Sequence, residues 1–332
     1  MLIPVLLFIV GFVLLIKGGD WFVEGAAGIA KKFRMPELLV GATVVSIGTT
    51  LPETMVSASS AVLGHGEIAY GNAIGSIICN TALVAAITIA VKPSKIDRKP
   101  LIVPTCFFFG AAAFYSAVAY VSGYFSRLTG ILLLSVFVIY MVITVKQAVS
   151  PTKDTVSVSE NDDNSSQVQN EPDEKERPMW MLILLLIVGA ALIAEGADLL
   201  VDNGTIIAAA LGVPESVIAL TFVALGTSLP ELVTAITSLA KGYGSLSLGN
   251  VIGANLFNLV LVTGVSCTLS PFAVPVEKQI AGIPASFIID IPLMFFVMAF
   301  MTIPAIIRGK LSRIQGVVLL LIYAAFCIFQ FI

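Results

Sequence analysis

Apolar stretches of eighteen or more residues recur from end to end of this 332-residue chain, and each is long enough to cross a bilayer. Hydrophobic residues make up 58% of the chain and charged residues only 12%, where a soluble domain has roughly half and a quarter. Such a chain folds as a polytopic membrane protein of helices, because a backbone in hydrocarbon must satisfy its own hydrogen bonds.

The apolar segments fall at 2–28, 36–63, 67–91, 100–121 and 126–149, then at 179–210, 213–240, 244–269, 282–305 and 314–332. Between the sets, residues 151–178 hold eight acids and many Ser, Asn and Gln. They have too little apolar surface for a core and are expected to form a flexible linker. The domain reading is therefore a first five-helix repeat over 1–150, an acidic loop over 151–178 and a second repeat over 179–332. The run from Leu2 to Ile16 has no basic residues before it and no small-residue cleavage site after it, and is read as a retained helix. Cys79, Cys106, Cys267 and Cys327 all lie in apolar runs without a CxxC pair, so they imply neither a disulfide framework nor structural zinc.

The two sets repeat. Adding 178 to a residue number maps residues 36–80 onto 214–258 without a gap, with 17 of 45 positions identical. The matches include Pro36/Pro214, Gly48/Gly226, Thr49/Thr227, Pro52/Pro230, Glu53/Glu231, Gly71/Gly249, Asn72/Asn250, Gly75/Gly253 and Asn80/Asn258. Five helices per half is an odd number, so the second half enters the membrane from the opposite side. The repeats are then inverted, a recurrent plan of secondary transporters with broken helices meeting near the midplane. Assigning Lys and Arg to alternate faces puts fifteen on one side, including Lys31, Lys32, Arg98, Lys241 and Arg308, and only Arg127 and Lys278 on the other, with Lys17 set aside at a helix end. The positive-inside bias places the 151–178 loop in the cytoplasm and both termini outside, in a cell membrane.

GTTLPE at 48–53 and GTSLPE at 226–231 set Gly, Pro and a glutamate inside apolar runs. Pro52 has no N–H and clashes with the preceding turn, which predicts a break near Gly48 and a restart at Pro52. Carbonyls freed at Ser46 to Thr49 need a partner or a cavity, and a cation supplies one. A carboxylate near the bilayer centre costs about 2.5–3.5 kcal/mol. Inverted symmetry brings Glu53 and Glu231 together, where they either share a proton or hold a cation. Ser76 and Asn80 share a helical face, opposite Ala254 and Asn258. Thr49, Thr50, Thr227 and Ser228 add hydroxyls and carbonyls. An all-oxygen set suits hard cations such as calcium and argues against zinc or copper. Gly71, Gly75, Gly249 and Gly253, with Asn72 and Asn250, are read as close-packing positions. His65 reads as a solvated loop residue. Asp20 and Glu24, with their mates Asp198 and Asp202, line an entry path or sit at an interface, the latter being preferred, and Glu37 and Glu215 read as first-turn carboxylates on helix dipoles. Asp290 has no mate and marks a helix end.

With these residues the chain resembles the calcium/cation antiporter superfamily, in its sodium/calcium exchanger branch: GTTLPE with GNAIGSIICN, and GTSLPE with GNVIGANLFN, are similar to its paired alpha repeats. The resemblance implies calcium binding by Glu53, Glu231, Thr49 and Thr227. It implies sodium binding by Ser46, Thr50, Glu53, Ser76 and Asn80 in one half, and by Ala224, Thr227, Ser228, Glu231 and Asn258 in the other. It also implies that helices 2–28 and 179–210 rock against the core. The chain departs from many exchangers of this branch, which carry an aspartate at the position of Asn258 and a serine at that of Ala254. Fewer charges and one hydroxyl fewer bear on how many sodium ions it handles, and on whether sodium is the counter-ion.

The expectation is secondary antiport of calcium against sodium by alternating access, with inorganic cations and the lipid bilayer as partners, no nucleic acid and no cofactor. Closing a dry site over two bare carboxylates is costly, so the carrier closes only when loaded. A proton/calcium antiporter using the same glutamates is the alternative. An intramembrane enzyme finds no HExxH, no serine–histidine pairing and no facing aspartates, and a passive channel does not need paired acids in inverted repeats.

Overall fold

The computed structural model describes residues 2–93, 95–149, 177–211, 226, 228–276 and 278–331. Ten helices follow: α1 Leu2–Lys32, α2 Glu37–Val62, α3 Gly66–Val91, α4 Arg98–Ser122, α5 Arg127–Val149, α6 Met179–Ala210, α7 Leu229–Ala240, α8 Gly244–Leu269, α9 Ser286–Arg308 and α10 Arg313–Phe331. Among the described residues nine of these are long and apolar enough to span a membrane, and α7 is a shorter apolar helix. The molecule is a helical, multi-pass membrane protein.

The inversion is written into one contact. Helices α1 and α6 pack along their lengths. A Cβ on Gly11 would stand 2.9 Å from the Gly196 carbonyl oxygen, and one on Gly18 2.9 Å from that of Gly189. Gly189 is the repeat mate of Gly11, and Gly196 of Gly18. Each residue therefore meets the mate of the other, which is the signature of a two-fold axis, and the helices run antiparallel. Glycine is needed at these positions because backbone meets backbone where lipid supplies no hydrophobic drive.

The same α1–α6 pair lies across the centre of the molecule. The Phe22 ring covers Gly48, and Val201 covers Gly226. The remaining helices build a core in which α2 lies on α8. There a Cβ on Gly253 would come within 2.6 Å of the Ala42 Cα, and one on Gly249 would collide with the Leu38 carbonyl. The connections flanking α4 are short. Asp97 caps α4 by accepting from the Lys99 N–H at 3.1 Å, and Gly123 ends it at φ +63°. Strands β1 Tyr124–Phe125 and β2 Phe272–Ala273 then tie the α4–α5 turn to the segment after α8.

Several basic residues are tied to other segments: Lys95 bridges to Lys310, Arg313 donates to the Val91 carbonyl, Lys241 pairs with Asp20 at 3.3 Å and Arg177 with Glu24 at 2.6 Å. Asp20 and Glu24 are thus half-exposed, each paired with a basic residue of another segment. Their mates Asp198 and Asp202 are exposed on α6. The acidic loop through residue 176, and with it Glu215, lies outside the described residues.

Two expectations need correction. Helix α2 does not restart at Pro52; it stays helical from Ser46 through Val62 with Pro52 inside it. Proline forfeits only its own N–H, and tight packing on α8 holds the turn. The irregularity falls one turn earlier, as a π turn over Gly41–Val45. In the second half, by contrast, α7 begins at Leu229 with Pro230 in its first turn and Ser228 just outside the helix. The second correction concerns Gly71 and Gly75. Nothing lies within 4 Å of a Cβ built on either, although their mates Gly249 and Gly253 are tightly packed.

Candidate cation-binding site

Three π turns surround the centre of the core: Gly41–Val45 in α2, Asn80–Ala85 in α3 and Asn258–Val262 in α8. The last two begin at the paired asparagines. A π turn is wider than an α turn, disturbs the carbonyl ladder and is frequent at functional sites. The loosened carbonyls are accounted for. The Ser46 hydroxyl donates five residues back to Gly41 O at 2.7 Å, and Thr263 does the same to Asn258 O at 3.1 Å. The buried Tyr140 hydroxyl of α5 donates to Ala42 O at 2.8 Å. Tyr140→Phe is expected to lower stability by about 1 kcal/mol, read as a fall in melting temperature of the detergent-solubilised protein with calcium binding retained.

Two helices then hold α2 in place. Asn72 of α3 donates to Ser57 Oγ at 2.8 Å and to the Glu53 carbonyl at 3.4 Å. Asn250 of α8 accepts from Thr49 Oγ1 at 3.3 Å, and its backbone carbonyl accepts from Ser46 at 3.0 Å. These asparagines do more than permit close packing, because they fix the backbone that carries Glu53.

Within this frame Glu53 is fully buried beside Ser76 of α3 and Asn258 of α8. Glu231, also fully buried, lies next to Thr49 and within Coulomb range of Glu53. Cys79 of α3 neighbours Ser228 and lies within Coulomb range of both acids. Ser46, Thr50 and Asn80 are buried around them. Both oxygens of Glu53, both of Glu231, both amide groups of Asn80 and Asn258, and the hydroxyls of Thr50 and Ser228 have no hydrogen-bond partner. Thr227 and Ala224 lie outside the described residues. Buried carboxylates without partners are strongly unfavourable in an apolar interior, and a shared proton or a cation relieves such a pair. The cluster's free groups are hard oxygens, and the donor set fits a calcium-like cation as the transported substrate.

Some polar groups near this centre escaped the sequence reading. Ser57, Thr234 and Ser238 are buried in the same helices as the acids, and the latter two have unpartnered hydroxyls. Their signal was there, at four, three and seven residues from Glu53 or Glu231, on or near the same helical face. Asn255 lay beyond any repeat argument, since its mate is Ile77; its amide donates to Thr81 Oγ1 at 2.7 Å.

Inverted helical repeats closing around paired, unpartnered acids define a membrane transporter of cations. The sodium/calcium exchanger protein family matches the chain over residues 3–146 and 181–332. The chain is 30% identical to the sodium/calcium exchanger MaX1 of Methanosarcina acetivorans, with 98% of each chain covered. It is 32% identical to the putative antiporter CaxA of Alkalimonas amylolytica, over 100% of this chain and 99% of that one. Its fold matches the sodium-calcium exchanger NCX_Mj with a TM-score of 0.77 at 30% identity, covering 98% of this chain and 97% of that chain. The chain belongs to the sodium/calcium exchanger family and is a cation/calcium exchange transporter rather than an enzyme.

Proposed function

We propose that this protein exchanges calcium for sodium by alternating access, with Glu53 and Glu231 as the shared anionic ligands. The observation that carries the reading is the set of buried, unpartnered oxygens around those two acids. Thr49 and Thr227 complete the calcium site. Ser46, Thr50, Ser76, Asn80, Ser228 and Asn258 offer positions around the two glutamates for sodium, and the family resemblance adds Ala224 and Thr227. Two halves, 1–150 and 179–332, carry one acid each, and the 151–178 loop joins them on the cytoplasmic side of the cell membrane. The fifteen-to-two split of Lys and Arg between alternate loops supports that orientation.

Exchange follows from electrostatics. Two bare carboxylates in a dry pocket repel each other, and one divalent ion or several sodium ions cancel the repulsion. Closure over the empty site is unfavourable, so the carrier returns only when loaded. The α1–α6 pair, joined to itself by glycines and resting across Gly48 and Gly226, is suited to move as a unit over the core. The MaX1 and NCX_Mj proteins are themselves described as sodium/calcium exchangers, which favours sodium as the counter-ion.

Asn258 favours a second reading, proton/calcium antiport, because among the described residues the pocket carries two carboxylates and no third. Proteoliposome calcium uptake driven separately by sodium, potassium and proton gradients decides between them. Sodium-driven uptake at fixed pH is expected; uptake driven by a pH gradient alone would replace sodium with the proton. Asn258→Asp adds a charge to the pocket. It is expected to lower the sodium concentration for half-maximal uptake on the order of tenfold, about 1.4 kcal/mol of added attraction.

A further inference from the structure

A cavity of about 400 Å³ opens beside α3 on the face where that helix begins. Its floor is Gly75, one residue before Ser76 of the central site, and its walls include Tyr70, Glu67, Ser286, Asp290 and Lys278. Three features set it apart from a lipid crevice. Tyr70 is 1% exposed, lines the cavity and has a hydroxyl with no hydrogen-bond partner. Asp290 accepts from the Ser286 hydroxyl at 3.1 Å through one carboxylate oxygen, while the other is buried and unpartnered. Both residues belong to the π turn Ser286–Asp290. The other three π turns of the described residues all surround the central acids, and this fourth one carries a half-buried acid, Asp290, that has no repeat mate.

Lys278 does not complete Asp290. Its ammonium donates to the Phe329 carbonyl at 2.6 Å and stands 4.1 Å from the Phe329 ring centroid, which draws it toward the end of α10. The free carboxylate oxygen, the phenol and the Glu67 carboxylate at the rim are hard oxygens around a volume that admits a cation with part of its water shell.

We propose that this cavity is a second calcium site, distinct from the central one, in which Asp290 is the direct ligand and Tyr70 and Ser286 hold the ion's waters. Calcium accepts six to eight oxygens, waters among them, in flexible geometry. Among the described residues the cavity offers two carboxylates, Asp290 and the Glu67 that stands 3.4 Å from His65, and a nearby lysine, so its charge is low. Sites of low charge count bind calcium weakly, at dissociation constants of about 0.1–1 mM. Gly75 of its lining is the neighbour in sequence of Ser76, which stands beside Glu53, so the two sites share α3. Binding there does not depend on which counter-ion the exchanger uses.

The test removes the central site first. In purified Glu53→Gln/Glu231→Gln protein, calorimetric titration with calcium is expected to leave one weak site. Adding Asp290→Asn is expected to weaken that site at least tenfold. Tyr70→Phe, which deletes only the hydroxyl and keeps the ring against Tyr115 and Phe125, is expected to weaken it about threefold in a protein that elutes unchanged on gel filtration. Absence of residual binding in the double variant, or residual binding indifferent to both Asp290→Asn and Tyr70→Phe, overturns the proposal. Neither result touches the reading of the central acids, whose own test is transport in the single Glu53 variant.

Discussion

Glu53→Gln is expected to abolish calcium uptake in proteoliposomes and to weaken calcium binding at the central site about a hundredfold to a thousandfold. The substitution keeps the shape of a side chain that is fully buried and removes only its charge. At an effective dielectric near 20, one unit charge at 4 Å contributes about 4 kcal/mol, and twice that toward a divalent ion before desolvation is subtracted. A net loss of about 3–4 kcal/mol corresponds to that range of affinity. The fold should survive, because glutamine relieves repulsion against Glu231 and leaves the Asn72 bond to the residue-53 backbone carbonyl untouched. Flux under a sodium gradient and calorimetry on the same preparation provide the check. Full transport with normal folding would show that the buried pair is not where the ions bind.

The second large effect concerns packing and separates two glycines that the sequence treats as equivalent. Gly249→Val is expected to prevent correct assembly or to lower stability by at least 1–3 kcal/mol, the usual penalty for overfilling a tight interface. Gly71→Ala is expected to change melting temperature little, aside from a small gain in helix propensity. A Cβ at 249 meets the carbonyl of Leu38, which is backbone and cannot rotate away, whereas a Cβ at 71 meets nothing within 4 Å. Thermal melting in detergent, followed by a fluorescent size-exclusion profile, distinguishes the two. Equal sensitivity at both positions would mean that α3 and α8 contact their neighbours alike, against the asymmetry described above.

That asymmetry shows how far the repeat could be read from the amino acids. The ungapped match of 36–80 with 214–258 identified the paired acids and asparagines, and the odd helix count identified the inversion; the Gly11–Gly196 and Gly18–Gly189 contacts agree with it. The repeat could not say that one copy would be closed on its neighbour while the other faced a cavity. Two halves of like sequence occupy different positions in any single conformation of such a transporter, and only the packing decides which. The proline signal had a similar limit. The same LPE stretch lies inside a helix in α2 and at a helix start in α7, because a single missing N–H is a small local penalty that the surrounding helices can absorb or yield to.

The amino acids by themselves determined the membrane class, the helix count, the inverted plan and the two carboxylates, because hydrocarbon tolerates neither unpaired backbone nor stray charge and so forces those features to be explicit in the chain. Tertiary structure alone decided that the irregular turns would be π turns beginning at Asn80 and Asn258, that Asn72 and Asn250 would brace the Glu53 strand of contacts, and that Asp290 and Tyr70 would meet across a cavity. Those outcomes depend on which carbonyl finds which side chain from a distant helix, and no local pattern of residues carries that information.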